Sequence, residues 1–103
     1  MLEGRRMMDY LRGLKNVYFS GEEFEEKEIS GEYNIIDLSG AKGKKLVIES
    51  EFTNVLDLSF SEIEEVILGG KYNLVDASLA RIKKLDRNEV EIIALDTYKA
   101  KIE

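Results

Sequence analysis

The 103-residue chain contains no cysteine, proline, histidine or tryptophan. Without cysteine or histidine there can be no disulfide, no thiolate or imidazole metal ligand, and no nucleophilic triad built on either residue. Long hydrophobic runs are missing too. The opening MLEGRRMMDYLRGL has no apolar stretch of signal-peptide length, and no later segment approaches the roughly 20 apolar residues of a membrane span. These absences predict a soluble cytoplasmic protein with no membrane contact. At this length one core is affordable and two are not, so residues 1–103 are expected to form a single domain.

Fifteen basic residues against 21 acidic ones leave a formal charge of -6. That balance disfavours direct binding to nucleic acid or anionic lipid and leaves a basic partner open. Charged residues make up 35% of the chain, and its richness in Glu, Lys and Ile is compatible with a heat-adapted source.

What the chain does have is a repeat. Laying NIIDLSGAKGKKLVI over NVLDLSFSEIEEVIL, NLVDASLARIKKLDR and IALDTYKAKIE brings Asp37, Asp57, Asp76 and Asp96 into one column, separated by 20, 19 and 20 residues. Six positions after each Asp stand Gly43, Ile63, Ile82 and Ile102. An earlier copy, VYFSGEEFEEKEI, fits the frame with Tyr18 in the Asp column and Phe24 in the isoleucine column. Repeats of this length announce stacked units that cannot bury an inner face alone.

Within the frame, apolar and polar residues alternate as in strands with one buried face. Val17, Ile36, Leu56, Val75 and Leu95 form one column, and Phe19, Leu38, Leu58, Ala77 and Thr97 another. Leu46, Val66 and Leu85 form a third, with Ile48 and Leu68 two positions on. A fourth side is marked by Tyr33, Phe52, Tyr72 and Ile92. The segment NVLDLSFSEIEEVIL is therefore read as strand and bend, not as an amphipathic helix. The predicted fold is all-β: a right-handed parallel β-helix, or solenoid, of about five coils of 19–20 residues spanning 16–103. Five strands at about 4.8 Å would stack to roughly 24 Å.

The units DLSGA and LDLSF, and the small residues Ala41, Ser61, Ala80 and Ala100 two positions before the isoleucine column, resemble pentapeptide-repeat proteins. That resemblance implies a four-sided coil. LDLSFSEIEEV also resembles the leucine-rich repeat, with Leu56, Leu58, Ile63 and Val66 in leucine positions. The asparagine of that motif is replaced by Ala41, Ser61, Ala80 and Ala100, and alanine cannot satisfy the turn's backbone groups, so leucine-rich repeats rank second.

Open solenoid ends are unpaired strand edges that need covering. Leu2, Met7, Leu11 and Leu14 recur at roughly helical spacing beside Tyr10, predicting an N-terminal capping helix over 1–15. Glu22 and Lys27 fall at inward positions of the first coil, and the last coil shows no cap.

The column Asp37, Asp57, Asp76, Asp96 is the one low-ranking metal candidate: outward carboxylates about 4.8 Å apart could share a hard cation. The competing expectation is a solvated ladder bonded to hydroxyls or lysines on adjacent turns. Ser20, Ser39, Ser59 and Ser78 have no base to activate them, so corner hydrogen bonding is expected. Lys44, Lys45, Lys83 and Lys84 are expected to gather as a basic spot, while GEEFEEKE and SEIEEV concentrate negative charge. GAKGKK lacks the spacing of a phosphate loop. No catalytic, cofactor-binding or metal residue is assigned, and no cofactor. The expected role is a noncatalytic structural or protein-protein interaction module, self-associating as a homo-oligomer through a coil edge. An acidic DNA mimic, which some pentapeptide-repeat proteins are, stands second; a small carboxylate hydrolase stands third.

Overall fold

A computed structural model of the chain describes residues 14–87 and 89–103. It contains seven strands and no helix among those residues: β1 (Lys15–Tyr18), β2 (Glu23–Asp37), β3 (Lys42–Asp57), β4 (Glu62–Asp76), β5 (Arg81–Asp86), β6 (Val90–Asp96) and β7 (Lys101–Ile102). Each pairs in parallel with the strand one repeat away, in the order β1-β2-β3-β4-β5-β7, and β6 joins β4. β5 and β6 both lie on β4 because they are the two halves of one coil, stacked on the first and second halves of the coil before it. The molecule is a parallel β-solenoid of about four turns.

Four turns, not five, correct the sequence expectation. The five markers Tyr18, Asp37, Asp57, Asp76 and Asp96 are stacked in register, and five points on a winding enclose four circuits. Among the described residues, β1 adds the end of a preceding winding and β7 the start of a following one. The capping helix predicted over 1–15 lies outside the described residues except at its end, where Lys15 already belongs to β1.

Stacking in register produces the core. Ile36, Leu56 and Val75 are buried in one column, Leu38, Leu58 and Ala77 in the next, and Leu46 with Val66 and Ile48 with Leu68 in two more. Each fully buried aliphatic side chain contributes roughly 1.5–3 kcal/mol. A single coil would leave these side chains exposed above and below, so the stabilisation appears only between neighbours.

Buried residues along one coil also show where it bends. On a straight strand inward positions are two apart, yet Ile63 and Val66 are both buried at a spacing of three, as are Tyr72 and Val75. The chain therefore turns at Glu64–Glu65 and at Asn73–Leu74. A third bend lies at Gly69–Gly70, where the ladder with β3 shifts between Ser50 and Thr53 and Gly70 has φ 97°. The fourth is the tight turn at 77–80, closed by Ala80 N–H donating to Ala77 O at 3.1 Å.

The third bend absorbs the irregular repeat length and overturns one assignment. Thr53, not Phe52, stands between Tyr33 and Tyr72, and Thr53 is fully buried. Its hydroxyl meets that of Ser50 at 2.6 Å, so the inner position of this coil is a satisfied polar pair. Phe52 is only half-buried.

Candidate interaction surfaces

The aspartate column is a set of turn staples. Asp57 Oδ1 accepts from Ser59 N–H at 2.9 Å and from Ser59 Oγ at 2.6 Å. Asp37 does the same with Ser39 and Asp76 with Ser78. Asp96 accepts from Tyr98 N–H at 2.9 Å. The repeated Asp-x-Ser is thus an Asx turn, which a carboxylate two residues before a hydroxyl favours. The partners are hydroxyls of the same turn, where sequence reasoning expected adjacent turns. These contacts also account for Ser39, Ser59 and Ser78. Among the described residues, no cluster of three or more acidic side chains could hold a metal ion.

A second ladder escaped the sequence reading. Asn34 Nδ2 donates to Asn16 Oδ1 at 2.9 Å, Asn54 to Asn34 at 3.1 Å and Asn73 to Asn54 at 3.0 Å. It runs up the bend at Asn73–Leu74, and its signal was the asparagine three residues before Asp37, Asp57 and Asp76. In the last coil the position is Ile93, which is exposed.

The turn at 77–80 carries a further column, Gly21, Gly40, Phe60, Leu79 and Lys99, all with φ between 52° and 70°. Left-handed backbone suits the two glycines and costs a side-chain-bearing residue roughly 1–2 kcal/mol. Phe60 and Leu79 are nevertheless there, with Phe60 63% and Leu79 39% exposed.

Next to this corner lies a charged face. Its rows are Glu23, Glu25 and Glu26, then Lys42, Lys44 and Lys45, then Glu62, Glu64 and Glu65, then Arg81, Lys83 and Lys84. Strand pairing stacks these rows directly on one another. The predicted basic spot is therefore absent, because an acidic row separates Lys44 and Lys45 from Lys83 and Lys84. Opposite charges meet between turns: Lys44 Nζ lies 3.1 Å from Glu25, Lys83 3.9 Å from Glu64, and Lys84 3.6 Å from Glu65. The hydrogen bond and charge of Glu25 raise the Lys44 pKa above its ordinary value. A shallow concavity of about 450 Å³ on this face is lined by charged side chains including Lys42, Glu62, Arg81 and Lys101. In GAKGKK, the missing side chain of Gly43 is filled by the Phe24 ring, a packing role and not a phosphate cradle.

Comparison with protein-family models, curated proteins and solved structures finds no match.

At the first coil, Lys27 Nζ sits 2.6 Å from Glu22 Oε1 and 3.9 Å from the centroid of Phe19. Lys27 occupies the column of Leu46, so among the described residues that column ends in an ion pair, at positions that the repeat frame places inward. At the other end, Leu85, Val90, Ile92, Leu95 and Ile102 form an apolar layer that is only partly buried. Two open hollows there are lined by Leu85, Arg87, Ile92 and Leu95 among others.

Proposed function

We propose that the chain is a noncatalytic assembly module that associates with a second copy through the edge of its last coil. The observation carrying this reading is the partly buried layer Leu85, Val90, Ile92, Leu95 and Ile102. The same columns one coil earlier are buried to within 2% at Val66, Tyr72, Val75 and Ile82. Beside that layer, the outer edge of β6 pairs with no strand among the described residues. An added strand would satisfy its backbone groups and cover the apolar side chains together. The four bends within 19–20 residues support a pentapeptide-repeat-like, four-sided coil, and no helix among the described residues is long and apolar enough to cross a membrane.

The alternating rows speak against DNA mimicry, which needs a continuous run of negative charge along the rod. Hydrolysis would need two carboxyls free to act across a cleft, whereas Asp37, Asp57 and Asp76 are engaged by their own turns and the concavity beside Glu62 is shallow and shared with Lys42, Arg81 and Lys101.

Sedimentation across a concentration series tests the assembly reading. Self-association is expected for the natural chain, and Ile92→Lys, which sets a charge in the open layer, should weaken it at least about tenfold. A natural chain that stays monomeric at high concentration would exclude the reading.

A further inference from the structure

We infer that the corner bearing Phe60 and Leu79, with the adjoining charged face, is a two-fold docking surface for an antiparallel second copy of this chain. It shares only the partner with the coil-edge reading and uses a different surface.

Four stacked rows make up the face. In chain order they are Gly21, Glu23 and Glu25; Gly40, Lys42 and Lys44; Phe60, Glu62 and Glu64; and Leu79, Arg81 and Lys83. Backbone bonds hold the corner column in register: Gly21 N–H donates to Ser39 O, Gly40 to Ser59 O at 2.8 Å, Phe60 to Ser78 O at 3.0 Å. The charged residues of all four rows are exposed. Among the described residues, Glu23, Lys42, Glu62 and Arg81 join no ion pair, in contrast to Lys44 with Glu25 and Lys83 with Glu64.

Symmetry selects the partner. When two copies of one face meet across a two-fold axis lying in the interface and perpendicular to the stack, each column meets itself in reverse order. With the axis between the second and third rows, Lys42 meets Glu62 of the other copy, and Glu23 meets its Arg81. In the neighbouring column, Lys44 meets Glu64 and Glu25 meets Lys83. Every contact joins opposite charges. In a parallel arrangement each row would meet itself, like against like, and such juxtapositions are strongly disfavoured.

Shape selects the same axis. Phe60 of one copy falls over Gly40 of the other, and Leu79 over Gly21. A Cβ placed at Gly21 would have nothing within 4 Å, and one at Gly40 would meet only Gly21 N at 3.9 Å, so the backbone there is an open shelf. Moving the axis one row on would set Phe60 against Leu79 and Lys42 against Lys101, because Lys101 breaks the alternation. The bulky residues at left-handed positions thus stand where a reversed copy offers glycine.

The test is sedimentation at low and high salt, with folding followed by circular dichroism. Lys42→Glu sets two pairs of glutamates across the axis and should weaken dimerisation at least about tenfold. Glu62→Lys should do the same by opposing lysines, and the double variant Lys42→Glu/Glu62→Lys should regain the natural affinity. Added salt should weaken the natural dimer, since these charges are exposed. Spin labels on Lys101→Cys, in a chain with no other cysteine, should report backbones offset by roughly 24 Å, five strand spacings. Three results would each overturn the inference: a folded double variant without restored affinity, labels lying directly opposite one another, or a dimer untouched by both single reversals. If the reversals leave association intact and Ile92→Lys abolishes it, the coil edge is the interface and this face is not.

Discussion

Phe60 permits a test in which the sign of an effect, and not only its size, is fixed by backbone geometry. Its φ is 60°, and 63% of the residue is exposed. Truncation to alanine removes a ring about one-third buried, which at roughly 1.5–3 kcal/mol for full burial costs about 0.5–1 kcal/mol. Alanine keeps its Cβ and therefore keeps the left-handed penalty of roughly 1–2 kcal/mol. Glycine removes that penalty but loses about 0.5–1 kcal/mol more conformational freedom on folding. Phe60→Gly should consequently be more stable than Phe60→Ala by about 0.5–1 kcal/mol, and close to the natural chain. At an ordinary strand or helix position the order of Gly and Ala is reversed. Urea unfolding by circular dichroism at high dilution resolves it: at a slope of about 1.5 kcal/mol/M the two midpoints should differ by roughly 0.5 M. Phe60→Ala more stable than Phe60→Gly would refute the strain argument. A loss above about 2 kcal/mol for Phe60→Gly would show that the ring belongs to the core, leaving nothing to spare for a partner.

Leu58→Asp places a carboxylate in a column only 1% exposed and should abolish the cooperative thermal transition, since an isolated buried charge costs far more than one coil contributes. Asp57→Ala should fold but melt earlier, losing about 1–2 kcal/mol with the two bonds to Ser59; a neutral effect would mean that the Asx turn is dispensable. Gly70→Ala should cost more than about 3 kcal/mol, because its Cβ would fall 1.6 Å from Ser50 O on a backbone at φ 97°, and a melting temperature unchanged by it would contradict the bend at Gly69–Gly70. Burial, with the nearby Glu49 carboxylate, raises the Tyr72 pKa above its ordinary 10.0. The unfolded chain therefore releases this proton first, so the stability linked to it is intact below about pH 10 and is lost as pH climbs beyond. Tyr72→Phe should flatten that alkaline decline in urea midpoints, and an unaltered slope would exclude the assignment.

The fold was legible because the repeat is carried by side chains that meet each other. Asp37, Asp57, Asp76 and Asp96 fix a frame, and the inward columns follow from it at intervals of two. Phe52 was misplaced for a physical reason: at the bend between Ser50 and Thr53 the chain inserts a residue, and hydrophobicity alone favours Phe52 over Thr53. What the alternation of polar and apolar residues does not report is that a buried threonine can be satisfied by a neighbouring serine. The four-turn count lies in the same frame, because five stacked markers bound four intervals.

The interaction surface was harder to read, since its information lies across coils instead of along the chain. EFEE, KGKK, EIEE and RIKK look like scattered charge runs, and solvated faces are the usual meaning of such runs. Folded at 19–20 residues they become rows of alternating sign, which are held in register by their neighbours and would be repelled by a slip of one turn. Four rows that alternate in sign are also complementary to their own reversal about an axis between the second and third, so the pattern that fixes register within one molecule suits an antiparallel second molecule as well. Intramolecular register alone does not require Phe60 and Leu79 at positions where Gly21 and Gly40 are unstrained. Those two residues, exposed and conformationally disfavoured, distinguish a surface that merely keeps its own coils aligned from one shaped to receive another copy.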